Sequence, residues 1–447
     1  MRSFWCAAMM SIIASPALAE TASAPGSIPA IISLKDRAAV QDGWLSTRLD
    51  IVVPEVMREN RADMWVIVAG EYNEDPVART MLSATWLNAR RRTILVFIDN
   101  GKDVERLALA RYPIANFTSA WDPDLQEDQW QRLAELIVER NPTTVAVNMA
   151  EDFPLADGLT ASHLRAIQRA LPAEMAERIS PSKELAIGWL ERRIPGEIVT
   201  YPQLSRITHA IIEEAFSQDV VTPGVTTSDD LVWWFRQKVS DLGLATWFHP
   251  SVAIQRDGSG SFGVQEMGLR GDTVIMPGDM LHVDFGIDYL GLKTDVQRVA
   301  YVLREGETGA PKGLRDGLAA MNAVKNALLA ELKPGRSGDA ILAAARRTID
   351  ASGIDGTIYS HPLGFHGHGA GAWIGAWERQ DRVPHMGEYV VAPNTAWSIE
   401  LNAQHDVPEW GGQKVRFMYE ENGHLDGEGR FHFFDGTQDE FILLPRA

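Results

Sequence analysis

The chain has 447 residues, 45% of them hydrophobic and 23% charged, which is the composition of a globular protein with room for two or three domains. Its formal net charge of −18 argues against nucleic acid and anionic membrane surfaces as partners, because both repel an acidic protein. A small molecule or a short peptide is left open as a substrate.

The amino terminus has the pattern of a cleavable secretory signal peptide. Arg2 precedes an apolar run, and the segment Ala17-Leu18-Ala19 suits cleavage at its end. Loss of residues 1–19 would remove Cys6, the only cysteine, and with it any thiol ligand or disulfide. We therefore expect an exported protein, secreted or in the bacterial periplasm, with no membrane span and with a flexible arm at residues 20–34.

Residues 35–175 alternate apolar, strand-like runs with helical patterns. The predicted strands are MWVIVAG (64–70), RTILVFID (92–99) and TTVAVNM (143–149), and the predicted helices cover 128–141 and 161–171. Strands that alternate with helices indicate an α/β domain of the βαβ type. No glycine-rich phosphate loop follows any of these strands, so a nucleotide site is disfavoured.

The pattern changes in residues 176–447, which we assign to a second domain. A helix begins after the predicted N-cap Ser182, and the same order of a helix pair and a β pair then occurs twice. The first helix pair is predicted near 198–217 and 229–241, and its β pair near 280–303. The second helix pair is predicted near 313–332 and 338–352, with Ser337 as an N-cap, and its β pair near 396–421. The recurring order predicts an α+β domain of two similar halves.

The first β pair contains two aspartates in otherwise apolar strands. Its sequence, HVDFGIDYLGLKTDVQR (282–298), is interpreted as a hairpin that turns at Tyr289-Leu290 and sets Asp284 opposite Asp295. Directly opposed side chains have Cβ atoms about 5 Å apart, and like charges there destabilise a sheet. A divalent cation bound by both carboxylates would turn this repulsion into shared ligation.

Further candidate ligands lie in the second half of this domain. A glycine-rich segment, HPLGFHGHGAGAWIGAWE, is followed by the two strands of the second β pair. The candidates on these segments are His361, His366, His368, Glu400, Glu420 and Glu421. Carboxylates with an imidazole suit two divalent first-row ions, with Mn the first choice and Co, Fe or Zn as alternatives. Tryptophans 373, 377, 397 and 410 lie close to these motifs and either line a pocket or pack the sheet.

The order of these motifs resembles the metallopeptidase family of aminopeptidase P, prolidase and methionine aminopeptidase. The run VDFG…YLGLKTDVQR resembles the family's D-x-G…Y-x-G-x-x-x-D-x-x-R, and HGHGAG resembles G-H-G-x-G. The resemblance implies a pita-bread catalytic domain with pseudo-twofold halves for residues 176–447. It also implies a creatinase-like α/β domain for residues 35–175 and a homodimer.

By residue, the resemblance implies five metal ligands, and it leaves Glu421 as a competitor for the last position. These ligands are Asp284, Asp295, His368, Glu400 and Glu420. Glu400 would also move the proton to the leaving nitrogen. The chain departs from the family in two places: RDGSGSFGVQEMGLRGDT (256–273) lacks the usual histidine, and IGAWE stands where the family has His-Glu. His361 and His366 either replace those histidines as catalytic residues or are structural.

The expected function is that of an exported dinuclear-metal aminopeptidase or dipeptidase. It would hydrolyse the first peptide bond of short peptides, with a preference for Xaa-Pro left open. One alternative is a catalytically weak or inactive member of the family that acts as a binding protein, which the missing histidines favour. Another is a creatinase-like, metal-free hydrolase of a small amide, which the retained carboxylates disfavour.

Overall fold

The computed structural model describes residues 27–260 and 272–444. The predicted signal peptide and residues 20–26 of the predicted arm lie outside these ranges, as does part of the loop that lacks the family histidine. Residues 27–33 have no regular secondary structure, but the Ile32 amide donates to the Tyr289 hydroxyl at 3.1 Å. Among the described residues, none of the helices is both long and apolar enough to span a bilayer.

The amino-terminal domain contains a six-stranded mixed sheet with the order β4-β3-β2-β1-β5-β6. Its strands are β1 Met64–Gly70, β2 Arg92–Asp99, β3 Val104–Leu109, β4 Thr118–Ser119, β5 Val145–Val147 and β6 Ile179–Pro181. Its helices are α1 Leu34–Glu59, α2 Pro76–Thr80, α3 Gln129–Arg140, α4 Ala161–Ala170 and α5 Ala173–Ala176. The three predicted strands are confirmed as β1, β2 and β5. The sequence suggested a domain boundary after residue 175, whereas strand β6 of this sheet lies beyond that residue.

The carboxy-terminal domain is a nine-stranded sheet with helices packed on it. Its strands are β7 Ser251–Gln255, β8 Met280–Phe285, β11 Val296–Val302, β12 Asp355–Ile358, β13 His361–Leu363, β14 Thr395–Val407, β15 Gln413–Leu425, β16 Phe431–Phe433 and β17 Ile442–Leu444. A separate short pair, β9 Asp288–Tyr289 and β10 Leu292–Lys293, caps the turn between β8 and β11. The helices are α6 Lys183–Glu191, α7 Pro195–Ala215, α8 Ser228–Asp241, α9 Lys312–Glu331 and α10 Gly338–Ala351. Both predicted helix pairs are confirmed to within three residues at each end.

Each half of this domain has its own hydrophobic core. Helices α7 and α8 pack on β7, β8 and β11, whereas α9 and α10 pack on β12, β14 and β15. The predicted cap Ser337 accepts a hydrogen bond from the Ala340 amide, whereas Ser182 occupies the N-cap position of α6 without a side-chain bond. The recurring order of helix pairs and β pairs therefore corresponds to two sheet halves that join along β11 and β15.

The hairpin that carries the two aspartates has a different register from the predicted one. Tyr289 pairs with Leu292, so the turn residues are Leu290 and Gly291, with φ of 58° and 77°. Positive φ at both positions is the geometry of a type I′ turn, which matches the twist of the strands. The turn centre therefore lies one residue later than predicted, and Asp284 pairs with Gln297 instead of Asp295. Asp295 stays on the same face because strand residues alternate with a period of two.

The longest β ladder of the domain places two glutamates opposite each other. Strands β14 and β15 pair over their full lengths, from Thr395↔Leu425 to Val407↔Gln413. In this register Glu400 is directly opposite Glu420. The like-charge opposition that the sequence suggested for the aspartates thus occurs between these glutamates.

The two domains meet around a buried ion pair. Arg48 of α1 lies 3.0 Å from Glu197 of α7, and Arg193 contacts the same carboxylate at 3.5 Å. Both guanidinium groups lie over the Phe365 ring, at 4.8 and 4.7 Å from its centroid. Phe365 belongs to the glycine-rich segment after β13, so the first domain supports the segment that bears the histidines.

The type I′ turn gives a first test of the register. Gly291→Ala puts a Cβ into the left-handed region, which should lower the free energy of unfolding by about 1–2 kcal/mol. Gly43→Ala is the control, because Gly43 is exposed within α1 and nothing lies within 4 Å of an added Cβ. This control should raise the stability by about 0.5–1 kcal/mol. Urea unfolding measures both, and an unchanged Gly291→Ala variant would contradict the turn assignment.

A buried carboxylate next to the glycine-rich segment gives a second test. Glu191, at the end of α6, is 6% exposed, and a Cβ on Gly371 would lie 2.7 Å from its Oε2. Burial raises the pKa of Glu191 to about 8, and Arg192 and Arg193 lower it only in part. A raised carboxyl pKa stabilises the fold at low pH, and this contribution is lost as the pH rises through about 8.

We therefore expect the stability of Glu191→Gln relative to the wild type to increase by roughly 1–4 kcal/mol when the pH is raised from about 5 to about 8. The measurement is urea unfolding of both proteins at the two pH values. Glu184→Gln, at an exposed position of the same helix, is the control and should show no such change. A stability difference for Glu191→Gln that stays constant with pH would contradict the assignment.

Candidate metal centre

Six acidic and imidazole side chains converge in the carboxy-terminal domain. They come from β8, the entry of β11, β13, the glycine-rich segment after it, and the paired strands β14 and β15. The six residues are Asp284, Asp295, His361, His368, Glu400 and Glu420. They form three overlapping triplets, and within each triplet the nitrogen or oxygen atoms lie within 4.8 Å of one another.

His361 is the imidazole nearest to the carboxylates. It is fully buried, and its Nε2 lies 3.6 Å from Glu420, 3.8 Å from Glu400 and 3.9 Å from Asp295. Its Nδ1 lies 3.1 Å from the Pro362 carbonyl oxygen, which can only accept, so Nδ1 carries the proton of that bond. The Nε2 lone pair then faces the carboxylates, as in histidines that bind metals.

The crowding of carboxylates changes their proton affinity. Burial raises the pKa of Asp284, Asp295 and Glu400 well above the usual range, and the neighbouring charge of Glu420 raises each further. Glu420 is the exception. Burial acts to raise its pKa too, but the adjacent His361 and the hydrogen bonds donated by Ser398 and Gln297 bring it below the ordinary value. The cluster is therefore an acidic site that is short of positive charge.

Gln297 connects the acidic residues and was missed in the sequence. Its Nε2 donates to Glu400 at 2.6 Å and to Glu420 at 2.8 Å, and its Oε1 accepts from His282 at 2.9 Å. Gln297 pairs with both Asp284 and Glu420 in the sheet. The sequence feature that could have identified Gln297 is its position two residues after Asp295, which places both on the same face of the strand.

Two polar side chains of the β14–β15 ladder hold Glu420 and Asp295 in position. Ser398 donates to Glu420 at 2.6 Å. Asn422 accepts from the Asp295 amide at 3.0 Å and donates to the Asp295 carbonyl at 2.6 Å. The entry of β11 is thereby held against β15, and the Asp295 side chain is directed into the cluster.

Glu420 and Glu421 lie on opposite faces of β15, as expected for consecutive strand residues. Glu420 belongs to the cluster, whereas Glu421 forms ion pairs with Arg298 and, at 3.0 Å, with His209. His209 also lies 2.9 Å from Asp435. The structure thus brings Glu420, and not Glu421, to the other carboxylates.

The three histidines of the glycine-rich segment have different environments. His361, one of the two suggested catalytic histidines, lies at the centre of the cluster. His366, the other, lies apart from it, and its pKa falls to about 4 through burial and then through nearby cations, Lys293 foremost. His368, assigned from the resemblance as the ligand, lies at the exposed rim, 4.8 Å from His361 between ring centroids. His361 begins β13, whereas His366 and His368 have no regular secondary structure, and spacing alone did not distinguish these environments.

Half-buried aromatic side chains stand beside the cluster at the rim where His368 is exposed, and we call this side of the cluster the cleft. Trp247 packs edge-on against His368 at 5.4 Å, and Tyr359 contacts Trp373 at 5.4 Å and Trp377 at 5.6 Å between centroids. The other two tryptophans noted in the sequence, 397 and 410, are buried in the core of the second half. Two of the four thus line the cleft and two pack the sheet.

The donor set fits divalent cations. Oxygen and nitrogen atoms that share an ion at about 2.1 Å lie roughly 3–3.5 Å apart, close to the spacings around His361 Nε2. His361 Nε2 and Asp284 Oδ1 are buried and have no hydrogen-bond partner among the described residues. No described lysine or arginine forms an ion pair with the four clustered carboxylates. A bound cation would satisfy these atoms and offset the negative charge.

Comparison with known proteins supports this assignment. The model of metallopeptidase family M24 matches residues 201–420, a range that includes all six residues of the cluster. A search of curated proteins found no significant match to the sequence.

Solved structures share the two-domain fold at low sequence identity. The X-Pro aminopeptidase from Thermotoga maritima MSB8 is 16% identical, with a TM-score of 0.61 and coverage of 87% of this chain and 100% of that one. The Xaa-Pro dipeptidase from Bacillus anthracis is 17% identical, with a TM-score of 0.58 and coverage of 92% and 100%. The N-terminal domain of FACT complex subunit SPT16 from Cicer arietinum (chickpea) is 13% identical, with a TM-score of 0.57 and coverage of 89% and 98%.

The match confirms the resemblance that the sequence motifs suggested, and the structural likeness confirms an α/β domain followed by a pita-bread domain. The residues that the family model covers run from α7 through both β pairs to the last clustered glutamate. The domain that contains the cluster therefore belongs to metallopeptidase family M24.

Proposed function

We propose that the chain is a metal-dependent peptidase that hydrolyses the first peptide bond of short peptides. The observation that carries this proposal is the cluster of four carboxylates with the free Nε2 of His361, next to half-buried aromatic side chains. Such a set is costly without a countercharge and well suited to cations that activate water.

We propose two divalent ions as the cofactor, with Mn the first choice and Co, Fe or Zn as alternatives. Their ligands would be Asp284, Asp295, His361, Glu400 and Glu420, and His368 would face the substrate at the rim. Two such ions would supply Lewis acidity and a water that loses its proton near neutral pH.

Residues around this site would transfer the proton, hold the substrate and exclude water. Glu400 bonds Gln297 through Oε1, which leaves Oε2 to take the proton of the attacking water and to pass it to the leaving nitrogen. His368 lies at the cleft edge, where an imidazole can hold the substrate carbonyl. Trp373 and Trp377 exclude water and contact the apolar parts of the peptide.

The finer parts of the proposal come from the sequence. The signal pattern of residues 1–19 supports export to the periplasm or the medium, and the family resemblance supports a homodimer. Solved structures of this fold include an X-Pro aminopeptidase and an Xaa-Pro dipeptidase, so we include Xaa-Pro peptides among the proposed substrates.

A binding role without catalysis is the second candidate. The segment IGAWE in place of the family's His-Glu favours it, and one protein of this fold is named as part of a complex subunit. A metal-free, creatinase-like hydrolase ranks third because it would leave the carboxylate cluster without a countercharge.

Metal uptake tests the ligand assignment. The wild type should retain about two Mn²⁺ per chain after dialysis, and Mn²⁺ should raise its melting temperature through linkage. Glu420→Gln and His361→Ala each remove a ligand and should lower Mn²⁺ affinity by about 100-fold or more. Plasma mass spectrometry and thermal unfolding measure both effects.

The matched controls are Glu421→Gln and His368→Ala, which change the adjacent glutamate and the rim histidine. Both should bind Mn²⁺ with affinity within about tenfold of the wild type. Equal loss of metal in Glu420→Gln and Glu421→Gln would contradict the assignment.

Activity on a peptide panel tests the reaction. Mn²⁺-loaded protein should release the first residue from free tripeptides and dipeptides, with and without proline at the second position. It should leave amino-terminally acetylated peptides intact. Asp295→Asn should abolish turnover and metal uptake together, because Asp295 contributes to two of the three triplets. A metal-loaded wild type that cleaves no peptide would favour the binding role.

A further inference from the structure

Tyr359 lies in the cleft and has no role in the assignments above. It is held by the strand that carries Glu400, because its amide donates to the Glu400 carbonyl at 3.0 Å. The next residue, Ser360, donates its hydroxyl to that carbonyl at 2.9 Å and accepts the Glu400 amide at 3.0 Å. The backbone of Tyr359 is therefore fixed relative to the metal centre.

Aromatic rings hold the Tyr359 side chain on several sides. Its ring centroid lies 5.5 Å from that of His361, 5.4 Å from Trp373, 5.6 Å from Trp377 and 5.9 Å from His368. These are the distances of favourable tilted and edge-to-face contacts. The ring thus stands beside the central imidazole, with a half-buried surface in the cleft.

The phenol hydroxyl is available to a ligand. Its one hydrogen-bond contact within the described ranges is to His368 Nε2 at 3.5 Å, the outer limit for such a bond. A phenol O–H is a hydrogen-bond donor, so this group can donate to a ligand that lies beside the carboxylates.

We propose that Tyr359 is a further catalytic residue, whose hydroxyl donates a hydrogen bond to the scissile carbonyl oxygen as that oxygen becomes negative. This inference rests on the proposed function. The phenol keeps its proton throughout, while the proton of the attacking water passes through Glu400 to the nitrogen of the broken C–N bond. Tyr359 would thereby compensate for the family histidine that is absent from IGAWE.

The first test is Tyr359→Phe, which removes the hydroxyl and keeps the ring contacts. A donor to a developing oxyanion acts mainly in the transition state, so kcat should fall by about 10²–10³ while KM stays within about threefold. Bound Mn²⁺ should equal that of the wild type. Tyr301→Phe is the control, because its hydroxyl bonds Glu307 at 2.9 Å outside the cluster, and its kcat should be unchanged.

The second test does not depend on turnover. A phosphinic dipeptide analogue, whose tetrahedral phosphinate resembles the charged adduct, should bind Mn²⁺-loaded Tyr359→Phe at least about tenfold more weakly than the wild type, whereas the parent dipeptide should bind both equally. Titration calorimetry measures both affinities.

The outcomes separate the two proposals. Wild-type peptidase activity with an unchanged kcat and phosphinate affinity in Tyr359→Phe would overturn the role of Tyr359 and leave the proposed function intact. A wild type without peptidase activity that still binds the phosphinate through Tyr359 would overturn the proposed function and the catalytic role of Tyr359, and would leave Tyr359 as a residue of the binding candidate. Failure of the wild type to bind the phosphinate would overturn the inference.

Discussion

The mutual repulsion of four carboxylates within one sheet is the constraint on which the rest of the structure depends. Glu400 and Glu420 face each other across the β14–β15 ladder, and two aspartates of the first hairpin lie beside them. Like charges directly opposite each other destabilise a sheet, and burial strengthens the effect because the charged forms lose water. The sheet therefore needs a countercharge at this point, and the described residues offer an imidazole and neutral donors instead: His361, Gln297 and Ser398. A bound cation would complete the arrangement, and the stability of the core and the chemistry of the cleft would then depend on the same groups.

The residues that make this arrangement specific are neutral. Gln297 and Ser398 donate to the acids, and Asn422 holds the backbone of Asp295 through two hydrogen bonds. Neutral donors orient a carboxylate without competing for the countercharge, whereas a lysine at the same place would replace the cation. On the outer face of β15, Glu421 does have such a partner in Arg298. The alternation of faces along one strand thus separates a structural ion pair from an acidic site only one residue away.

Much of the fold and part of the site could be predicted from the sequence. Hydrophobic periodicity located the helix pairs, and the acids stood out because charges are rare in such apolar strands. The hairpin register could not be derived, because it depends on Leu290 adopting a positive φ that its residue type disfavours. The roles of the histidines were hidden for a different reason. Gly367 and Gly369 flank His368, and each approaches a group closely: Gly367 the Trp247 ring and Gly369 the Pro362 carbonyl. The contact with Trp247 is distant in sequence and could not be derived from a local pattern.

Without the family's His-Glu pair the cleft has a different chemistry, but it still contains polar and aromatic side chains. Trp377, within IGAWE, and Trp373 both contact Tyr359, and apolar rings at this place would lower the local dielectric and strengthen a hydrogen bond made there. A phenol suits such surroundings because its O–H donates without carrying a charge. Burial lowers the pKa of His368 to about 4, so its imidazole is neutral there and has a single N–H to donate. An aromatic cleft and a tyrosine donor are therefore mutually consistent. Under the proposed function, the departure from the family motif would be one coherent substitution of donor and surroundings.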